Sequence, residues 1–234
     1  MSCPDYGAPG VISAACKGIF GMIRSRSILR EMNVASTLTL PLTYPELTGK
    51  HVCLRALLPE HRDALNLAAA DGALWRLWYT SVPAASGMSD YIGRALEQWR
   101  SAVSLPFVVH CVASGAIVGC TRYCNIDGIT PRLEIGYTWY AQRVQRTAVN
   151  TECKLLLLRH AFETLKVSAV EFRTHWFNQA SRVAIARLGA KQDGVLRQHQ
   201  RMPDGSYRDT VVFSILNGEW PAVRQQLRFR LGEI

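Results

Sequence analysis

The chain has 234 residues, 48% hydrophobic and 19% charged, which is enough for one domain with a substantial core. No uninterrupted apolar stretch reaches the roughly 18 residues that a membrane-spanning helix needs, so we expect no membrane span. The formal net charge of +9 is typical of a protein with a polyanionic partner. Specific nucleic-acid binding is not expected, because the sequence has neither an aromatic RNA-binding motif nor zinc-finger spacing.

The seven cysteines indicate a reducing compartment. Their number is odd, no two form a C-x-x-C pair, and they are spread through predicted strands and helices, unlike a disulfide framework. Cys120 and Cys124 lie four residues apart in one predicted strand, but no companion ligands accompany them. We therefore predict buried thiols, no metal site and a cytoplasmic protein.

Residues 1–47 differ from the rest of the chain. Residues 1–31 are rich in Gly, Ala, Pro and Ser at first, and their basic residues follow an apolar patch, which is the wrong order for a secretory signal. We predict that residues 1–47 form a disordered or loosely helical extension. Residues 48–234 are predicted to form the folded domain.

The first predicted elements of this domain are three strands and two helices, and the second and third strands are predicted to form a hairpin. We predict a strand at 51–57, helices from Pro59 to about Ala70 and from Ser89 to about Ser101, and strands at 106–113 and 116–124. Strands and helices then alternate: a strand at 132–140, a helix over about 150–165, a strand at 169–175, a helix ending at Gly189, strands at 191–200 and 207–216, and a last helix near Trp220. This order predicts an α/β (α+β) fold with a mixed sheet and helices on its faces.

The most informative stretch runs from Glu134 to Glu152. Residues 133–140 are rich in β-branched and aromatic types, which favour a strand, and the apolar run 155–158 continues at helical spacing. Between them lies a short loop of small and hydrogen-bonding residues. Because the first N–H groups of a helix are unpaired and carry positive dipole character, such a helix start is suited to bind phosphate.

Three motifs resemble those of GNAT-superfamily N-acetyltransferases. Gln145-Arg146-Thr147-Ala148-Val149-Asn150 resembles their Q/R-x-x-G-x-G/A acyl-CoA pyrophosphate loop, with Ala148 in place of the central Gly and Asn150 in place of the last small residue. Glu134-Ile135-Gly136-Tyr137 resembles the branch of ribosomal-protein N-terminal (alanine/serine) acetyltransferases. A further signature runs through Gly194-Val195-Leu196-Arg197 and Asp204-Gly205-Ser206-Tyr207-Arg208-Asp209 to Glu219-Trp220. Together these similarities span about residues 48–225.

The resemblance implies a GNAT-like, mostly antiparallel twisted sheet whose fourth and fifth strands splay apart for the pantetheine arm. It also implies that acetyl-CoA is the co-substrate, bound by the loop and by main-chain groups at the splay. Asn178 matches a family asparagine that contacts the cofactor arm, but it also fits the cap of the following helix. The implied cofactor-binding residues are Thr138, Tyr140, Gln145, Arg146, Thr147, Ala148, Val149, Asn150 and Asn178.

The resemblance and the chemistry of amine acetylation together suggest the catalytic residues. Glu134 is the candidate base that deprotonates the amine, and the alternative is an ion pair with Arg122 or Arg132. Ser181 matches a position that hydrogen-bonds the departing thiolate, or it is simply a serine in the first turn of a helix. Trp75 and Trp78 are candidates for the acceptor side of the site, or else core residues.

Three functions fit the sequence. We favour an acetyl-CoA-dependent N-acetyltransferase that acts on a primary amine by direct attack in a ternary complex. A non-catalytic acyl-CoA-binding module and a basic interaction protein with the same fold are the alternatives; Ala148 and Asn150 motivate the former. The acceptor stays open among a protein N-terminus, a polyamine, an antibiotic and a small metabolite amine. A homodimer is compatible with the sequence.

Overall fold

An eight-stranded sheet forms the centre of the protein. The computed structural model describes residues 38–234, with the strands in the order β1-β2-β3-β4-β5-β6-β8-β7. Neighbouring strands are antiparallel except β5 and β6, which are parallel. This confirms the predicted mixed, mostly antiparallel sheet. The strands are β1 Leu47–Thr48, β2 Val52–Ala56, β3 Ser104–Cys111, β4 Ile117–Asp127, β5 Arg132–Tyr140, β6 Ala169–His175, β7 Lys191–Arg201 and β8 Tyr207–Leu216.

In the described part of the chain, five α-helices cover the two faces of the sheet. They are α1 Arg62–Ala70, α2 Met88–Arg100, α3 Ala148–Arg159, α4 Gln179–Ala186 and α5 Trp220–Arg230, and a π-helical turn, His160–Thr164, extends α3. Successive strand residues point to opposite faces, so Phe107 packs with α3 and α5 while Val108 packs with α1 and α2. Within residues 38–234, no helix combines the length and apolar character that crossing a membrane requires.

Residues 38–47, which precede the predicted domain boundary at residue 48, pack against the domain. Leu42 and Leu47 are buried in the larger apolar cluster, and the Tyr44 ring contacts the rings of Trp99 and Phe107. The prediction of a loose extension is therefore wrong for residues 38–47, because their apolar side chains complete the core. Its remaining part, residues 1–37, lies outside the described residues.

Removing the first 31 residues should leave a folded protein. A chain that begins at Met32 keeps Leu42, Tyr44 and Leu47, whose burial stabilises the fold. We expect it to retain its melting temperature and its affinity for coenzyme A, measured by thermal denaturation and calorimetry. A chain that begins at Thr48 is the matched comparison and should melt at a lower temperature. A large fall already on removal of residues 1–31 would contradict this prediction.

A buried carboxylate on α3 fixes the turn between β1 and β2. The side chain of Glu152 accepts hydrogen bonds from the backbone N–H groups of Lys50, His51 and Val52 at 2.6–2.8 Å. Gly49 makes room for it, because a Cβ there would overlap the Glu152 carboxyl group. The contact ties the helix that starts at the predicted phosphate loop to the first strands of the sheet.

Replacing Glu152 with glutamine should destabilise the protein by about 2–4 kcal/mol, because the amide group cannot satisfy three buried donors. Chemical denaturation followed by circular dichroism would measure the loss. Glu97→Gln is the control, since Glu97 is an exposed residue on α2 and should change stability by no more than about 0.5 kcal/mol. An equally small effect at Glu152 would show that the carboxylate does not hold this turn.

Candidate active site

The two parallel strands separate and leave a cleft. β5 and β6 pair only where Arg132, Leu133 and Glu134 face Ala169, Val170 and Glu171, although both strands continue further. Beyond these residues the strands diverge. The cleft that opens between them has a volume of about 1110 Å³ and is lined by β5, β6, α4 and the first turn of α3.

A β-bulge in β5 orients the side chains at the point of divergence. Arg122 faces Gly136 and Cys120 faces Trp139, so two residues of β5, Tyr137 and Thr138, oppose a single residue of β4. Tyr137 has a φ of 51°, in the left-handed region. Because of the bulge, the Tyr137 ring lies under the Arg122 guanidinium, whereas the Thr138 hydroxyl contacts α3.

The predicted phosphate loop directs the start of α3 into the cleft. Thr147 is the N-cap residue of α3, and its hydroxyl oxygen accepts from the Val149 N–H. The Gln145 side chain donates to the Tyr140 carbonyl at 2.9 Å and so holds the loop to the end of β5. The left-handed residue is Arg146, with a φ of 62°, and not Ala148. A glycine is therefore not required where the family motif has one.

The predicted cofactor residues occupy two positions relative to the cleft. Ala148 and Val149 contribute backbone to the first turn of α3, with Val149 buried beneath it. The others form part of its wall: Thr138, Tyr140, Gln145, Arg146, Thr147, Asn150 and Asn178.

Asn178 and Ser181 lie at the start of α4, on the same cleft. The Asn178 side-chain oxygen accepts from the Ser181 N–H at 3.0 Å, so Asn178 caps this helix. Its amide nitrogen is a separate donor, so capping and a contact with the cofactor arm are compatible. Ser181 is in the first turn of α4, and it also lines the cleft.

Glu134 is a buried carboxylate in the wall of the cleft, only 7% exposed. Asn125 donates to it at 2.7 Å, and the Arg173 guanidinium lies 3.6 Å away. Burial raises its pKa, although the Asn125 hydrogen bond and the charge of Arg173 oppose this shift. Gly136 leaves space for the carboxylate, because a Cβ there would lie 2.8 Å from Glu134 Oε1.

The predicted ion-pair partners of Glu134 were wrong. Arg122 donates to Gln98 at 3.1 Å and stacks on two tyrosine rings, and Arg132 pairs with Glu171. The partner is instead Arg173, from the neighbouring strand β6. The bulge in β5 and the parallel pairing with β6 determine this arrangement, and neither is visible in the local sequence.

Sequence reasoning missed Lys154, a buried lysine in the cleft wall. Its ammonium group donates to Thr138 Oγ1 at 2.7 Å and lies 5.9 Å from the centre of the Phe172 ring. Burial lowers its pKa to about 8. The signal was present in the sequence, because Lys154 is the only charged residue in the otherwise apolar run 153–158 of α3.

Trp75 and Trp78 are not core residues. Their exposed fractions are 38% and 54%, so the alternative interpretation as buried side chains is wrong. The cleft wall contains neighbours of theirs, Leu74, Leu77 and Tyr79, rather than the two tryptophans. Trp78 packs edge-on against His175, a cleft residue, with ring centres 5.0 Å apart. A role for the two tryptophans in acceptor binding stays a prediction.

The comparison with protein families decides the classification. Residues 51–191 match the family model described as Acetyltransferase (GNAT) domain. The chain belongs to the GNAT acetyltransferase family. This confirms the predicted family and means that the protein is an acetyltransferase. Members of the GNAT family use acetyl-CoA. No curated protein matches the chain significantly.

Solved structures of GNAT acetyltransferases share the fold. A structure named as an acetyltransferase from T. thermophilus is 31% identical, with a TM-score of 0.71, over 81% of this chain and 99% of that chain. A GCN5-related N-acetyltransferase from Brucella melitensis is 28% identical, with a TM-score of 0.73, over 82% of this chain and 88% of that chain. RimJ of Mycobacterium smegmatis, solved in complex with CoA-disulfide, is 22% identical, with a TM-score of 0.65, over 78% and 90% of the two chains. At this lower identity the RimJ similarity shows the fold alone.

Proposed function

We propose that this GNAT protein is an acetyl-CoA-dependent N-acetyltransferase that acetylates a primary amine by direct attack in a ternary complex. One observation carries the proposal: the wall of a single cleft contains both the capped start of α3 and the buried carboxylate of Glu134. The first can hold a phosphorylated donor, and the second can accept a proton from an amine. A direct transfer needs both groups in one continuous site.

The start of α3 is suited to the pyrophosphate of acetyl-CoA. Its first N–H groups have no partner within the helix, and the helix dipole favours an anion there. Arg146 directly precedes the cap residue Thr147 and lines the cleft, so its guanidinium is available as a charge-assisted donor to phosphate. RimJ of Mycobacterium smegmatis, which has the same fold, was solved in complex with CoA-disulfide, so this fold is compatible with a bound coenzyme A derivative. By the family resemblance, Thr138, Tyr140 and Asn178 would contact the rest of the molecule.

The proposed chemistry uses Glu134 as a proton acceptor and Lys154 as a proton donor. Acetyl-CoA supplies an activated acetyl thioester. Glu134, whose raised pKa makes it a better proton acceptor than an exposed glutamate, takes a proton from the ammonium form of the acceptor, and the free amine then attacks the thioester carbon. Formation of the C–N bond breaks the C–S bond and releases a second proton from the nitrogen to solvent. Lys154 carries a proton that it can give to the departing thiolate, and Thr138 Oγ1 holds its ammonium group in place. Ser181, the residue predicted for this contact, is the alternative donor.

Acetylation of an amine panel tests the proposal. Purified protein and acetyl-CoA would be mixed with amino acids, short peptides, polyamines and aminoglycosides, and the release of free thiol would be measured. We expect transfer to at least one class. Coenzyme A that binds in calorimetry without any transfer would favour the non-catalytic acyl-CoA module. Absence of both binding and transfer would favour a basic interaction protein.

Arg146→Ala should weaken acetyl-CoA binding by about 1–3 kcal/mol, because it removes a charge-assisted contact to phosphate. Calorimetry would measure the dissociation constant. Arg159→Ala is the matched control, because Arg159 lies exposed at the other end of α3 and its replacement removes the same charge. An unchanged affinity of the Arg146→Ala variant for acetyl-CoA would count against phosphate binding at the start of α3.

A further inference from the structure

One face of the sheet carries a row of polar side chains near the cleft. Residues of β6 and β8 alternate in direction, so Phe172 and Val211 pack in the apolar cluster with α3 and α5. Arg173 and His175 therefore point to the other face, as does Arg208 of β8. All three of these side chains line the cleft, as does Glu134. They form the wall that an acceptor amine would meet next to the proposed base.

The charged residues of this wall, together with their ion-pair partners, include one more guanidinium than carboxylate. Glu171 pairs with Arg132 and Arg173, and Arg173 also lies 3.6 Å from Glu134. These contacts leave two carboxylates and two guanidinium groups in one network. Arg208 is the third guanidinium, and no carboxylate within residues 38–234 forms an ion pair with it.

Arg208 is partly buried and incompletely hydrogen-bonded. Its Nε is buried and has no hydrogen-bond partner within the described chain. Burial lowers the pKa of its guanidinium, although the nearby Glu134 and Tyr137 oppose this. A buried N–H group without a partner destabilises the structure, so an acceptor atom from a ligand would bind there favourably.

His175 offers a second donor in the same wall and is only 2% exposed. Its Nδ1 accepts from the Phe177 N–H at 3.1 Å, which places the proton of the neutral ring on Nε2. Burial, and then the charge of Arg208, lower the pKa of this ring, although the charge of Asp209 opposes the shift, so the neutral form of the ring is favoured. The Nε2 atom is buried and has no hydrogen-bond partner among residues 38–234.

We propose that the amine acceptor carries a carboxylate, which Arg208 and His175 bind while Glu134 faces the amine. The inference rests on the proposed acetyltransferase function and names its substrate class. The carboxylate of such an acceptor neutralises the Arg208 guanidinium and accepts hydrogen bonds from the two unpaired N–H groups, Arg208 Nε and His175 Nε2. Polyamines and aminoglycosides are disfavoured, because each brings several positive charges next to Arg208. A free amino acid and a peptide with an acidic residue next to its N-terminus present the same chemistry.

Acceptor pairs that differ only in charge test this inference. One arm compares an α-amino acid with its C-terminal amide; the other compares peptides with Asp or Asn at the second position. We expect kcat/KM to favour the acidic member of at least one pair by about ten- to hundredfold, the value of a charge-assisted hydrogen bond. The arm with the larger ratio identifies the source of the carboxylate. Equal rates within both pairs would overturn the inference.

Variants assign the preference to Arg208. Arg208→Gln should reduce the acid-to-neutral ratio to near one, mainly through a higher KM for the acidic acceptor. Arg201→Gln is the control, because Arg201 is an exposed residue of the same hairpin that does not line the cleft, and it should keep the ratio. Melting temperatures of both variants check the fold. A ratio that survives in Arg208→Gln would overturn the assignment.

The outcomes separate this inference from the proposed function. Transfer to neutral or cationic amines without any preference for acids would leave the acetyltransferase function intact and overturn the acidic acceptor. Absence of transfer to every amine would overturn both. A preference for acids that disappears only in Arg208→Gln would support both.

Discussion

Replacing Glu134 with glutamine should lower the turnover of amine acetylation by about 10²–10⁴-fold while the affinity for acetyl-CoA stays nearly intact. The expected effect is large because Glu134 is the proposed base and is only 7% exposed in the cleft wall. Glutamine keeps the shape of the side chain and can still accept from Asn125, but it cannot take up a proton. Steady-state kinetics and calorimetry would measure the two quantities.

The pH dependence distinguishes a base from a structural residue. Glu134 acts as a base only when ionised, and burial raises its pKa, so wild-type turnover should rise as pH increases through that raised value. The deficit of Glu134→Gln should shrink at high pH, because the amine then arrives already deprotonated. A variant that instead loses acetyl-CoA binding or thermal stability would make Glu134 structural and leave the proton to solvent.

Replacing Lys154 with methionine should lower turnover by about 10²-fold, the lower end of the usual range for a proton donor. Methionine fills a similar volume and carries no charge, so the variant should be at least as stable as the wild type. Thermal denaturation and the rate of thiol release would measure the two effects. Unchanged turnover would remove Lys154 from the mechanism and favour Ser181 or solvent as the donor.

The sign of the pH effect at Lys154 is opposite to that at Glu134. Its pKa is lowered from 10.5 to about 8, and it can donate only when protonated, so wild-type turnover should fall as pH rises through about 8. The turnover of the Lys154→Met variant should not fall in this pH range. Lys154→Arg is a useful control, because arginine keeps the positive charge but does not titrate below about pH 12. Turnover in that variant should be low at every pH.

The positions of the strands along the chain could be predicted because local patterns determine them. The structure has β5 at Arg132–Tyr140 and β6 at Ala169–His175, as the sequence predicts, because both segments are rich in residues that favour a half-buried sheet. The start of α3 is two residues earlier than predicted. Thr147 caps the helix, so Ala148 already belongs to its first turn.

The partners within the site could not be predicted, because they depend on register and on contacts between distant segments. The bulge at Tyr137 shifts the pairing of β4 with β5, and parallel pairing brings β6 beside Glu134, so Arg173 is its partner rather than Arg122 or Arg132. The role of Glu152 was invisible for the same reason: its acceptor atoms meet N–H groups about 100 residues earlier in the chain.

The short parallel contact between β5 and β6 has a consequence for how the protein responds to its co-substrate. Within residues 38–234, three residue pairs make up the strand pairing between the five strands β1–β5 and the three strands β6, β8 and β7. A molecule held in the cleft would bridge these two parts where no strand pairing joins them. Its binding would then slow amide hydrogen exchange along the separated ends of β5 and β6. It would also make the unfolding of the two parts more cooperative and raise the melting temperature with ligand concentration.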